Sequence, residues 1–215
     1  MIHTKKILAL IMLSAFTMFT SCSNDDREVE INNNVTSTNL KKGSTEVEID
    51  LTNLVLKEEV LNEVLSEIKF KKDIIHELRD DEVKEILNPL LENGKVLHRE
   101  MILFLEENNG FEGLSPEEHH NISYLTDEQL IELSFITYNQ YQYATNSDID
   151  WDRVRSCASF ALGIQGIKTL YTNTLALGTV ETMVGALKLI GKRYLGYIGI
   201  ALMIYDFVDC LYGSE

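Results

Sequence analysis

Three uncharged runs of twelve residues each, Ser156–Ile167, Thr169–Val180 and Tyr194–Tyr205, constrain this 215-residue chain more than any other feature. A twelve-residue helix rises only ~18 Å, against a hydrocarbon core of ~30 Å, so none of the runs is long enough to span a bilayer. Segments this apolar must instead be covered by other parts of a fold. The pattern predicts helices over Asp150–Tyr171, Thr179–Ile190 and Tyr194–Leu211, apolar nearly all round, packed as a compact three-helix bundle in residues 148–215.

The preceding region, residues 50–147, has a different pattern. Leu61, Val64, Leu65 and Ile68 fall on one stripe at helical spacing, with acids on the opposite face, and Val83, Ile86, Leu87, Leu90 and Leu91 repeat it. Pro89 lies inside the second stripe and lacks a backbone donor, so a kink or a fresh start is expected there. A third apolar segment, Val96–Leu105, runs into Asn108-Asn109-Gly110, a C-terminal cap. Ser115-Pro116-Glu117-Glu118 has the capping serine, the first-turn proline and the acids of a helix start. Thr126-Asp127-Glu128-Gln129 matches a capping box and opens a helix carrying Ile131, Phe135 and Tyr138. The expected fold class is therefore all-α: an acidic amphipathic helical region, then the hydrophobic bundle.

Charge follows the same division. Residues 22–149 carry 28 acidic and 11 basic side chains, a net of −17, whereas residues 150–215 carry six of each. Such an acidic chain repels a phosphate backbone, which argues against nucleic acid as a partner.

The N-terminus reads as an export signal over residues 1–21. Lys5 and Lys6 precede a thirteen-residue apolar core, Ile7–Phe19, and the small residues Thr20 and Ser21. Phe19-Thr20-Ser21-Cys22 resembles the lipobox of bacterial lipoproteins, with Phe19 where that family usually has leucine. Ser23-Asn24-Asp25-Asp26 is similar to the acidic segment that follows the cysteine in many Bacteroidota lipoproteins. The resemblance covers about the first 26 residues. It implies cleavage before Cys22, lipidation of Cys22, and an outer-membrane lipoprotein exposed at the cell surface. Ser23–Glu48 lacks aromatics and sustained periodicity, so residues 22–49 read as the lipidated cysteine and a flexible tether.

With Cys22 acylated, Cys157 and Cys210 remain. An exported chain meets an oxidising compartment, so a Cys157–Cys210 disulfide is the default reading, and two buried free thiols compete with it. Closing that loop stabilises the fold by roughly 4 kcal/mol in the chain-entropy picture.

Several patterns resemble chemistry without completing it. Gly185–Arg193 has five residues between its glycines where a phosphate-binding loop has four, and Arg193 stands where Ser or Thr should hold magnesium. Glu117, Glu118, His119 and His120 are ligand types, but neighbours on a helix diverge by about 100°, so no metal site is assigned. His76 and His98 are lone histidines without an assigned role. Asp206 and Asp209 share a face of the last helix, and are read as its solvent side or as partners of Arg153, Arg155, Lys192 or Arg193. Tyr138, Tyr141 and Tyr143, with Trp151, form a possible interaction surface for stacking against a sugar. No local nucleophile–histidine–acid set appears. No cofactor is expected.

The function expected from these features is that of a non-enzymatic binding or interaction module. It would be held to the membrane through its lipid anchor and present a surface to a protein or glycan partner. A second expectation comes from Val154–Gly213, whose composition resembles that of compact hydrophobic helical bacteriocins. Those peptides are often cationic and this module is neutral. On that reading an antagonistic, membrane-active module is restrained by the acidic region.

Overall fold

In the computed structural model, residues 47–145, 150–162 and 177–213 are described, and Cys22, with the expected signal and most of the tether, lies outside them. The described chain is all-α. A 3₁₀ turn at Thr52–Leu54 leads into α1 (Glu58–Lys71), a 3₁₀ segment (Lys72–Glu77), α2 (Asp80–Glu107), α3 (Pro116–Ser123) and α4 (Asp127–Thr145). The C-terminal helices are α5 (Trp151–Leu162), α6 (Val180–Ile190) and α7 (Gly196–Tyr212). β-type pairing is confined, among the described residues, to an isolated antiparallel bridge between Glu48 and Thr179, where the Ile49 N–H also donates to the Gly178 carbonyl at 2.9 Å.

Local chemistry sets the helix ends. Glu58 and Glu59 sit in the first turn of α1 and Lys69 and Lys71 in its last, each sign matched to the helix dipole. At α3 the Glu118 N–H donates to Ser115 Oγ (3.2 Å) and the Ser115 N–H donates to Glu118 Oε2 (2.9 Å), a reciprocal cap. At α4 the Thr126 N–H donates to Gln129 Oε1 (2.9 Å) in the same way. The α2 C-terminus closes on Asn109, whose φ of 57° is left-handed, and the Gly110 N–H returns to the Leu105 carbonyl at 2.7 Å. The left-handed residue is thus Asn109, and Gly110 follows it because a Cβ there would meet the Leu105 side chain at 2.5 Å.

One expectation is corrected. Pro89 starts no new helix: α2 runs unbroken from Asp80 to Glu107 and absorbs the segment expected separately at Val96–Leu105. The carbonyl left without a donor belongs to Glu85, an exposed residue, and buried positions from Val83 to Leu105 pack on both sides of the proline. Their combined burial exceeds the ~3 kcal/mol that an interior proline costs. The core also has an identifiable centre. It is α4, in the acidic region, where every residue from Gln129 to Asn139 is buried.

Both regions build one core. α2 packs along α4 and α7, and α7 also packs against α1, α4 and α5. Phe135 of α4 and Phe207 of α7 meet edge to face, ring centroids 5.5 Å apart and both fully buried. α6 lies against α2, α3 and α4. The Cys157–Cys210 disulfide is formed, with Cα atoms 5.6 Å apart, and ties α5 to the end of α7. Gly94 marks the closest approach of α2 to α4: a Cβ there would collide with the Leu130 backbone carbonyl.

Candidate functional site

A central helix buried on all sides must satisfy its own polar side chains. Ser134 Oγ donates to Asn93 Oδ1 (2.8 Å), and Asn93 Nδ2 donates to the Leu54 carbonyl (2.7 Å). Thr137 Oγ1 and Asn139 Nδ2 donate to the carbonyls one turn earlier, at Leu133 and Phe135. Gln129 and Glu132 do something different, because both reach across to the loop between α6 and α7.

Gln129 Nε2 donates to the carbonyls of Gly191 (3.1 Å) and Arg193 (2.8 Å), while its Oε1 caps Thr126. Glu132, 1% exposed, forms an ion pair with the Arg193 guanidinium. Burial pushes the Glu132 carboxyl up to about 7, more than the Arg193 charge and hydrogen bond pull it down. Gly191 packs on α3, where a Cβ would meet the Asn121 carbonyl at 2.6 Å. Lys188 adds a surface bridge to Glu118 (3.0 Å), and the Ser115 backbone N–H, with help from Lys188, holds Glu118 down at about 2. The α6–α7 loop is therefore fixed to α3 and α4 at several points.

What this fixed loop presents is aromatic. Tyr194 follows Arg193 directly and is 82% exposed, and Leu195 is exposed beside it. Tyr124 stands two residues before the Thr126 cap, is 71% exposed, and has the His120 ring against its own at 4.9 Å between centroids. Lys84 of α2 bonds Asp127 (2.5 Å) and lies 5.5 Å from the Tyr197 ring centre. The arrangement offers flat, partly apolar rings on a rigid support, suited to stacking and apolar contact. The buried Glu132 carboxyl faces Arg193.

The residues expected from sequence are placed elsewhere. Tyr138 is 8% exposed and belongs to the core, and Tyr141 is half-buried, so neither presents the open ring face expected of a stacking surface. The side chains of Tyr143 and Trp151 lie outside the described residues. Asp206 and Asp209 are exposed, and Tyr205 Oη donates to Asp209 Oδ1 at 3.3 Å. Arg153 donates instead to the Cys210 carbonyl (3.1 and 3.3 Å), near the C-terminal end of α7. His98 Nε2 donates to the Ile122 carbonyl at 2.7 Å, and burial lowers its pKa, so it joins α2 to α3 as a neutral ring. In the Glu117–His120 run, Glu118 faces Ser115 and Lys188, His119 packs on Phe111, and His120 packs on Tyr124.

Sequence reasoning passed over Glu132, Tyr124 and Tyr194, and gave Gln129 only a capping role and Arg193 only a pairing with Asp206 or Asp209. One signal was available: Glu132 stands between Ile131 and Leu133, a charge inside an apolar stretch. No family model, curated protein or solved structure matches the chain.

Proposed function

We propose that this chain is a surface-anchored lipoprotein acting as a non-enzymatic binding module, and that its binding face is the aromatic rim at Tyr124 and Tyr194. The observation that carries this reading is the combination of high exposure with fixed support. Both rings stand out into solvent, yet the segments bearing them are tied to α4 through Gln129 and Glu132. Rings held in place lose little conformational entropy on binding, which favours a glycan or protein partner met by stacking. Anchoring rests on the lipobox resemblance at Phe19–Cys22.

The competing reading, a restrained membrane-active module, is disfavoured because the apolar face of α7 is shared with the acidic region. Phe207 packs on Phe135, and freeing residues 148–215 would expose both.

Two measurements test the proposal. Metabolic labelling with a fatty acid should mark the wild-type chain and not Cys22→Ser, and an unlabelled wild type would sink the anchor. Glycan arrays and cell-surface protein panels should then be probed with the chain and with Tyr124→Ala/Tyr194→Ala. A ligand whose binding falls at least tenfold in the double variant supports the rim. Ligands bound equally by both proteins would place the binding face elsewhere.

A further inference from the structure

The most exposed large apolar side chain among the described residues is Phe70, 90% exposed near the C-terminal end of α1. The core stripe of that helix is Leu61, Val64 and Ile68, so Phe70 lies off the buried face. Ile74, four residues on, is 48% exposed. Along the chain the charge around Phe70 is the reverse of the whole chain's, with Glu67 beside Lys71 and with Asp206 and Asp209 near Lys72. Lys69, Lys71 and Lys72 flank Phe70, and the stretch from Lys69 to Arg79 holds four basic and two acidic side chains in a protein of net charge −15. Lys71 pairs with Glu67 at 2.8 Å, and the Lys72 ammonium lies 4.1 Å above the Tyr205 ring, leaving both lysines partly at the surface.

We infer that Phe70 and its lysines dock the folded part onto an anionic lipid surface, Phe70 entering the headgroup boundary while the lysines meet headgroup phosphates. An apolar side chain bracketed by lysines is the composition of an interfacial anchor. Size points the same way. Phe70 and Ile74 offer on the order of 300 Å², well below the ~800 Å² per partner of a stable protein interface. The acidic remainder of the chain does not prevent approach, because charges beyond about 8 Å are screened at physiological salt.

The test does not depend on lipidation, so it fails or succeeds separately from the anchor at Cys22. The unlipidated chain beginning at Ser23, disulfide intact, is sedimented with vesicles of phosphatidylcholine alone and of phosphatidylcholine mixed with phosphatidylglycerol. Binding to the mixed vesicles, weaker at high salt and without dye release, is the expected result. Phe70→Ser should reduce that binding about tenfold or more, and Lys69→Gln about fivefold. Thermal melts should be unchanged in both variants because the two side chains are exposed. No vesicle binding, or binding indifferent to Phe70→Ser, would overturn the proposal. Equal binding to both vesicle types with no effect of Lys69→Gln would overturn its anionic specificity.

Discussion

Arg193 forms a buried ion pair with Glu132, a residue 61 positions earlier in the chain, and so fastens the α6–α7 loop to the most buried helix of the fold. A charged pair in such a place costs desolvation on both sides, and its stability depends on protonation. The Glu132 carboxyl, ordinarily near 4.5, is raised to about 7 by burial. Between those values the folded chain holds a proton that the unfolded chain has released. Its contribution to stability is thus complete below about pH 4.5 and is lost as pH rises through about 7. The span is of order 3 kcal/mol at most. Glu132→Gln should flatten the fall in urea midpoint between pH 5 and pH 8 relative to wild type. An unchanged difference between the two pH values would show that Glu132 is not the titrating group.

Removing the partner should act in the opposite way to removing the acid. In Arg193→Met the carboxylate keeps its burial and loses its counter-charge, which costs about 3–5 kcal/mol when ionised. The loss should therefore be large at pH 8 and much smaller at pH 5, where Glu132 takes up a proton. Equal destabilisation at both pH values would indicate lost packing by the arginine stem rather than lost charge.

Two glycines in helix interiors should respond oppositely to the same substitution. Gly94→Ala places a methyl against the Leu130 backbone, which cannot move without separating α2 from α4. The expected loss is about 3 kcal/mol, despite the helix propensity gained. At Gly185, an exposed position of α6, nothing lies within 4 Å of the new Cβ. Gly185→Ala should stabilise by about 0.5–1 kcal/mol. Denaturant midpoints of the pair decide the matter, and similar losses in both would mean the close approach at Gly94 is not a constraint.

These cases show which parts of the molecule local sequence can report. The caps at Ser115 and Thr126 and the stripes at Leu61–Ile68 and Val83–Leu91 were legible because every partner lies within about two helical turns. So was the Cys157–Cys210 bond, which followed from the expectation of an oxidising compartment with Cys22 acylated. Of the two expectations at Pro89 the fresh start was not realised, because its local cost is offset by α4 and α7, which the stripe itself does not reveal. The burial of α4 was less legible still. Its sequence mixes Gln129, Glu132, Ser134, Thr137 and Asn139 among apolar residues, and reads as a helix with a wet side. Burial all round became possible because Gly191, Arg193 and Asn93, brought from distant segments, complete the hydrogen bonds of three of those five residues. The candidate site depends on the same long-range contacts, which is why Tyr124 and Tyr194 escaped notice while Tyr138, on the local stripe, was chosen.

The α3 cap carries its own pH signature. Glu118 is held at about 2 by the Ser115 backbone N–H first and by Lys188 second. Its folded pKa lies below the ordinary value, so its contribution is present above about pH 4.5 and fades as pH falls through about 2. Ser115→Ala should cost about 1 kcal/mol through the lost cap. Glu118→Gln should keep the size of the side chain while removing the acid-range dependence near α3, read from the chemical shifts of His119 and His120 between pH 2 and pH 5. Identical acid titrations in wild type and Glu118→Gln would discount the interaction.

The C-terminal helices should not fold alone. α7 buries Phe207 against Phe135 and packs against α1, α2 and α4, all outside residues 148–215. The disulfide restricts the unfolded chain by roughly 4 kcal/mol, but it cannot replace the apolar surface that those helices cover. An oxidised 148–215 fragment should therefore show dispersed tertiary signals only when residues 47–145 are added in trans. In the whole chain, Phe207→Ala should cost about 3–5 kcal/mol, the range for emptying a fully buried aromatic site. Circular dichroism and proton spectra of the fragment decide the point. A cooperative melt from the isolated fragment would mean that the C-terminal helices possess a core of their own, and would reopen the case for a releasable module.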